Sequence, residues 1–188
     1  VVSLLTHQIT PFFSSLFVGE IEVPDKTEFE LYKLRENDAG RTISVVNGWQ
    51  STRLTKEEAW SKPLLSQIIP DVQELFLKFG IDRQVSLTNY WANISPKGAL
   101  NTSHKHPQSC ISACVYIKAP NKCGNFVLER PDNLLDFVVP DTVNENNYGV
   151  WEEIPKKGKV VYFSSNLPHS VLPNMSDEDR ISVAFNFR

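Results

Sequence analysis

Cysteine and histidine are scarce in this 188-residue chain, three of the first and four of the second. The thiols Cys110, Cys114 and Cys123 are odd in number and cannot pair fully within the chain. Cys110 and Cys114 fall in one predicted strand, about 13 Å apart at roughly 3.3 Å per residue, beyond disulfide reach. Reduced thiols and a cytoplasmic location are the expectation, and without a Cys-x-x-Cys pair nothing suggests a zinc ribbon. Basic charge is not in excess either. A formal charge of -3 and a pI near 5.8 give no electrostatic reason to expect nucleic acid or an anionic membrane as partner. No apolar run reaches the ~20 residues of a membrane span. The opening "VVSLLTHQITPFFSSLFVGEIEV" is apolar, but it has no basic leading residues and His7 and Gln8 interrupt it. It reads as an early strand region rather than a signal sequence. Three Asn-x-Ser sequons, at Asn93, Asn101 and Asn174, are therefore chance matches. Repeats, low-complexity tracts and charge blocks are missing too, so no linker divides the chain and one domain is expected.

What is present is periodicity. From Lys56 to Phe79 the pattern is helical, opened by Thr55 and Glu58 as a capping box. Leu64, Leu65, Ile68, Ile69, Val72, Leu75, Phe76 and Phe79 form one apolar stripe, a packing face. Gly80 stops the helix, and Pro70 should kink or split it. From Val85 the period becomes two, with strands predicted at Val85–Ile94, Cys110–Lys118, Asn125–Glu129, Leu134–Val139, Lys159–Ser164 and Arg180–Phe187. Leu16–Val23 and Arg41–Asn47 should add to the sheets. This predicts a mainly β protein, a two-sheet jelly-roll or barrel with helices packed outside. Residues 1–84 would supply N-terminal strands and supporting helices, and residues 85–188 the barrel core. The apolar helix could hold a second copy as easily as its own sheet, so a homo-oligomer is open.

The chemistry concentrates in three places. "GALNTSHKHP" spends half of the histidines on one tripeptide. In an extended segment His104 and His106 face the same way, and two neutral imidazoles suit a first-row transition metal. His169, 63 residues after His106 and directly behind a predicted strand, is the candidate third ligand. The last strand, "RISVAFNFR", alternates Ile181, Val183, Phe185 and Phe187 with Arg180, Ser182, Ala184 and Asn186. Arg180 with Ser182 can grip a small dicarboxylate, although a solvated edge face would read the same. "CISACVYIK" puts Ser112, Cys114 and Tyr116 on one face, and a Tyr116 hydroxyl inside a barrel needs a polar partner. Trp91, Asn93, Ser112 and Asn186 are candidate pocket residues. The segment from Leu134 to Tyr148 reads as an exposed loop or a lid.

Taken together, "NGWQS", "NYWANISPKGALNTSHKHPQSCISACVYI", "CGNFVLERPD", "GKVVYFSSNLPHSVLPN" and "RISVAFNFR" resemble the iron(II)- and 2-oxoglutarate-dependent oxygenases, built on a double-stranded β-helix. The chain looks closest to a phage and marine bacterial branch related to prolyl hydroxylases. The resemblance implies Fe(II), 2-oxoglutarate and O2 as cofactor and co-substrates. It implies oxidative decarboxylation of 2-oxoglutarate coupled to hydroxylation of a substrate that the sequence does not identify. His104, His106 and His169 would be the metal ligands, and Arg180, Ser182 and Tyr116 would bind the distal carboxylate. One departure stands out: His106 occupies the place of the usual Asp or Glu. Three neutral ligands leave the site one charge more positive, so iron should be held less tightly than by a His/Asp set. Gly98-x5-His104-x-His106 also opens a cupin motif, but the later Glu and the Pro-x-Gly of that motif are missing. Arg180 and Ser182 favour the oxygenase over a three-His cupin-like metalloenzyme, and iron content after anaerobic reconstitution would separate both from a non-enzymatic jelly-roll binding module.

Overall fold

The computed structural model describes residues 14–131, 141, 142, 144 and 147–188. His7, most of the apolar opening and the predicted strand Leu134–Val139 lie outside the described residues, as does most of the proposed lid. The elements in chain order are β1 (Leu16–Glu20), α1 (Lys26–Asn37), β2 (Val45–Val46), β3 (Trp49–Gln50), α2 (Lys62–Lys78), β4 (Leu87–Ser95), β5 (Leu100–His104) and β6 (Ile111–Lys118). They continue with β7 (Phe126–Glu129), β8 (Val150–Glu153), β9 (Lys159–Ser164), β10 (His169–Val171) and β11 (Arg180–Phe187).

Every pairing is antiparallel, and the strands form two sheets, β1-β9-β6-β11-β4-β3 and β2-β5-β10-β7-β8. From β4 onward successive strands leave and re-enter the two sheets in the order of a jelly roll, the double-stranded β-helix expected from the sequence. β1 and β3 widen the large sheet, and β2 widens the small one.

Alternation decides which side of the large sheet is dry. Tyr90, Ala92, Ile94, Ala113, Val115, Ile181, Val183, Phe185 and Phe187 point away from the small sheet and pack on Leu64, Leu65, Ile68, Val72, Leu75 and Phe76 of α2. The main apolar core therefore lies outside the sandwich, between sheet and helices. Tyr162 of β9 adds a short hydrogen bond from its hydroxyl to Asp71 of α2.

β11 is a central strand with all eight residues buried, not an edge with a solvated face. Its polar side faces the small sheet. The three sequon asparagines are buried at 7% exposure or less, which closes them to modification in the folded chain.

Helix α2 starts later than its sequence suggests. Pro63 sits at the first turn, the position proline tolerates, and residues 59–61 form a turn before it. Thr55 is no cap. Instead Tyr90 holds this stretch: its hydroxyl donates to the Lys56 carbonyl at 2.7 Å and accepts from the Glu58 amide at 3.1 Å. Nor does Pro70 split the helix. Pro70 and Ser66 both lie on the exposed side, so the carbonyl that loses its helical partner is open to water. Helix α1 carries no apolar stripe and buries only Thr27 and Leu31. Polar contacts hold it: Tyr32 donates to Asp179 at 2.9 Å, and Glu28 pairs with Lys118 at 3.2 Å.

Candidate metal and carboxylate site

The small sheet brings the histidines together. His104 ends β5, His169 begins β10, and the two residues are direct cross-strand partners. His106 lies two residues beyond β5, its amide donating to the Ser165 carbonyl at 2.9 Å. The ring centroids are 4.2 Å apart for His104–His169, 4.6 Å for His106–His169 and 5.1 Å for His104–His106. One ring nitrogen from each falls within 4.8 Å of the others, the only such group of His, Cys, Asp or Glu among the described residues.

Each Nδ1 is occupied. His104 Nδ1 meets the Thr102 carbonyl at 2.7 Å and His169 Nδ1 meets the Leu167 carbonyl at 2.9 Å. A carbonyl only accepts, so both rings carry their proton on Nδ1 and leave Nε2 bare. His106 Nδ1 meets the Ser112 hydroxyl at 2.8 Å, and its Nε2 is buried without a partner.

All three rings are held neutral. Burial pushes the pKa of His106 down to about 3 and that of His169 to about 2, reinforced by the neighbouring imidazoles. His104, more open, is lowered by burial against the opposing pull of the Thr102 carbonyl and Glu129. Three neutral rings that bring one nitrogen each together are a donor set for a first-row metal ion. The surroundings are aromatic: Phe163 lies 4.6 Å from His169, and Trp91 meets the His106 ring edge-on at 5.0 Å.

The large sheet supplies the other half. Its inner face carries Trp91, Asn93 and Ser95 on β4, Arg180, Ser182 and Asn186 on β11, and Ser112, Cys114 and Tyr116 on β6, in register. Arg180 is 2% exposed, yet among the described residues no carboxylate meets it. Its Nη1 donates to the carbonyls of Cys123 and, at 3.0 Å, Leu172, while its Nη2 has no partner. The Tyr116 hydroxyl, on the residue opposite Ser182, is also buried without a partner. Burial raises its pKa well above the ordinary phenol value, and it feels the Arg180 charge. Cys114 is a protonated thiol, pushed up to about 11 by burial against the opposing effects of Ser182 and Arg180. A buried cation and a buried hydroxyl, each with a spare donor, fit a small carboxylate.

Between the sheets a cleft of about 400 Å3, open mouth included, is lined by the three histidines, Trp91, Asn93, Cys114, Phe163 and Ser182. Among the described residues no acidic side chain lines it. Asn93 is 6% exposed and its Oδ1 has no partner. Ser112 and Asn186 stand elsewhere, buried behind His106 in a hydrogen-bond chain.

Four contributors escaped the sequence reading. Ser165 anchors the His106 backbone. Ser44 and Asn101, joined by a 3.2 Å hydrogen bond, line the cleft. Gly124 lets the Cys123 loop close on Arg180: at φ +89°, an added Cβ would lie 2.8 Å from Nη1 and overlap the Leu172 carbonyl. Only the glycine carried a local signal for its role.

Comparison with known proteins agrees with this construction. A family model described as "Putative 2OG-Fe(II) oxygenase" matches residues 89–186, from β4 through β11. No curated protein matches the chain. Among solved structures, a Pseudomonas putida prolyl-4-hydroxylase superposes with TM-score 0.58 at 16% identity, covering 93% of this chain and 92% of that one. The viral collagen prolyl hydroxylase of Paramecium Bursaria Chlorella virus-1, in its 2OG complex, gives TM-score 0.60 at 14% identity, covering 95% and 97%. HygX from Streptomyces hygroscopicus, with nickel and 2-oxoglutarate bound, gives 0.58 at 12%, covering 93% and 82%. At such identities the neighbours establish the shared fold, and the family model spans the strands that carry both halves of the cleft. The chain belongs to the 2OG-Fe(II) oxygenase family, enzymes that use iron(II), 2-oxoglutarate and dioxygen.

Proposed function

We propose that His104, His106 and His169 hold the iron, that Arg180, Ser182 and Tyr116 bind the distal carboxylate of 2-oxoglutarate, and that the protein hydroxylates a substrate entering through the cleft. One observation carries this reading. Nitrogens of three neutral imidazole rings converge on one wall of a cleft, while a buried guanidinium and a phenol with unused donors stand on the strands of the other. The bound iron would supply oxidative chemistry, activating dioxygen as 2-oxoglutarate is decarboxylated. The chain's own part is positioning. Thr102, Leu167 and Ser112 orient the rings; the Cys123 and Leu172 carbonyls hold Nη1 of Arg180 and leave Nη2 free. Phe126, Phe163 and Trp91 keep water from the metal side of the chamber. Asn93, opposite Ser182 and with an unused acceptor, is the candidate contact for a donor group on either 2-oxoglutarate or the substrate.

Succinate release from 2-oxoglutarate, with Fe(II), ascorbate and oxygen, tests the reading before the substrate is known. Native protein should produce succinate, His169→Ala should fall to background, and Arg180→Ala should need far more 2-oxoglutarate. Iron binding by native protein with 2-oxoglutarate left unconsumed, and no response to Arg180→Ala, would instead favour a three-His metalloenzyme of another class.

A further inference from the structure

His106 raises a question that a carboxylate ligand would not: which ring nitrogen carries the proton. For His104 and His169 a backbone carbonyl answers it, because a carbonyl can only accept. The partner of His106 is a hydroxyl, which can donate or accept, so Ser112 alone leaves the answer open. We propose that the hydrogen-bond chain Asn89–Asn186–Ser112 sets it, and that Asn186 and Ser112 are positioning residues for the metal site; this rests on reading the three histidines as iron ligands.

The direction of the chain follows from counting donors. Asn186 Nδ2 donates to Asn89 Oδ1 at 3.0 Å, which turns Asn186 Oδ1 toward Ser112. That oxygen can only accept, so the Ser112 hydroxyl donates to it, at 2.7 Å. Its single proton is then spent. The two neighbours left around Ser112 Oγ, Ser165 Oγ at 2.9 Å and His106 Nδ1 at 2.8 Å, must both donate. His106 is therefore protonated on Nδ1, and its bare Nε2 is the buried atom without a partner. Ser112 and Ser165 are fully buried and Asn186 is 4% exposed, so water does not compete for these bonds. Were the chain to run the other way, Ser112 could donate to Nδ1 and place the ring proton on Nε2, where it would block metal. Orienting partners of this kind govern ring presentation in metal sites, and losing one typically costs 10–100-fold in affinity.

The test uses the full chain, 15N-labelled at histidine and free of metal, with ring nitrogen shifts reporting the tautomer and Ni(II) titration calorimetry reporting affinity. In native protein His106 should be protonated on Nδ1. Asn186→Ala frees the Ser112 hydroxyl to donate to the ring. The Nε2-protonated form should grow and Ni(II) affinity should fall about 10–100-fold, although Asn186 is not itself a metal ligand. Ser112→Ala should give a comparable loss and Ser112→Thr should recover most of it; unchanged His104 and His169 signals establish that the fold is intact. A native His106 protonated on Nε2 would overturn the proposal. So would an Asn186→Ala protein with native tautomer and Ni(II) affinity within about twofold of native. Should native protein bind no Ni(II) while the tautomers respond as described, the iron reading fails and the hydrogen-bond chain stands as the device that fixes the ring.

Discussion

The two faces of β11 differ by one residue in sequence and by everything in purpose. Its odd positions, Ile181, Val183, Phe185 and Phe187, are packed under α2 in the main core. Of its even positions, Ser182 and Ala184 line the cleft, Asn186 belongs to the hydrogen-bond chain behind it, and Arg180 is buried against the Cys123 and Leu172 carbonyls. A jelly roll usually suggests a core between its sheets; here much of that space is polar and holds spare donors and acceptors. The outer face can serve as core because the helices cover it. On β11 this separation lets stability and chemistry be altered separately, while across the inner side Tyr116, Cys114, Phe126 and Phe163 belong to a second, smaller apolar cluster beside the cleft.

The sharpest way to break the comparison is on the dry side. Phe185, fully buried and stacked on Tyr90 with centroids 5.3 Å apart, should cost about 3–5 kcal/mol of stability as Phe185→Ala. Per folded molecule, succinate formation should keep its native dependence on 2-oxoglutarate. Chemical denaturation paired with initial rates checks both, and a large rise in KM would show that the faces are coupled.

The inner counterpart is Tyr116→Phe. Its hydroxyl has no partner in the folded chain, so removing it should leave stability unchanged or slightly raised. The KM for 2-oxoglutarate should rise about 5–10-fold, the equivalent of one hydrogen bond worth about 1–1.5 kcal/mol. A marked loss of stability with no change in KM would place the tyrosine among the structural residues.

The smallest effect belongs to the segment around β3, at the edge of the large sheet beside β4. Asp38 accepts from the Gly40 amide and from the amide and hydroxyl of Thr52, at 2.8–2.9 Å. Burial pushes its carboxyl up, and these hydrogen bonds outweigh it, so the pKa is lowered. A depressed folded pKa means the contribution is present above the ordinary carboxylate range and is lost as pH falls through it. Asp38→Ala should therefore destabilise by about 1 kcal/mol near neutral pH and by less in acid. A pH series of unfolding midpoints for the two proteins checks the sign.

How much could be read from the chain alone depends on where each signal lies. Arg180–Phe187 and Lys159–Ser164 match their predicted bounds: strict alternation on the first leaves one register that hides the apolar set, and the second is a continuous apolar run, Val160–Phe163, buried on both faces. Helix α1 escaped notice because ionic and polar contacts hold it, and these leave no stripe. His104 and His106 were visible as a pair by adjacency. His169 was visible only as a late histidine behind a strand.

The sequence by itself determined the alternation, the apolar helix face and the kinds of residue available, since those are local properties of neighbours along the chain. Only the tertiary structure decided that His169 stands opposite His104, that Arg180 is buried with a spare donor, and that a serine and two asparagines orient the His106 ring. These are facts of strand pairing between residues up to 97 positions apart. Short-range patterns carry no record of which distant strand will lie alongside, because closure of the two sheets selects the partner.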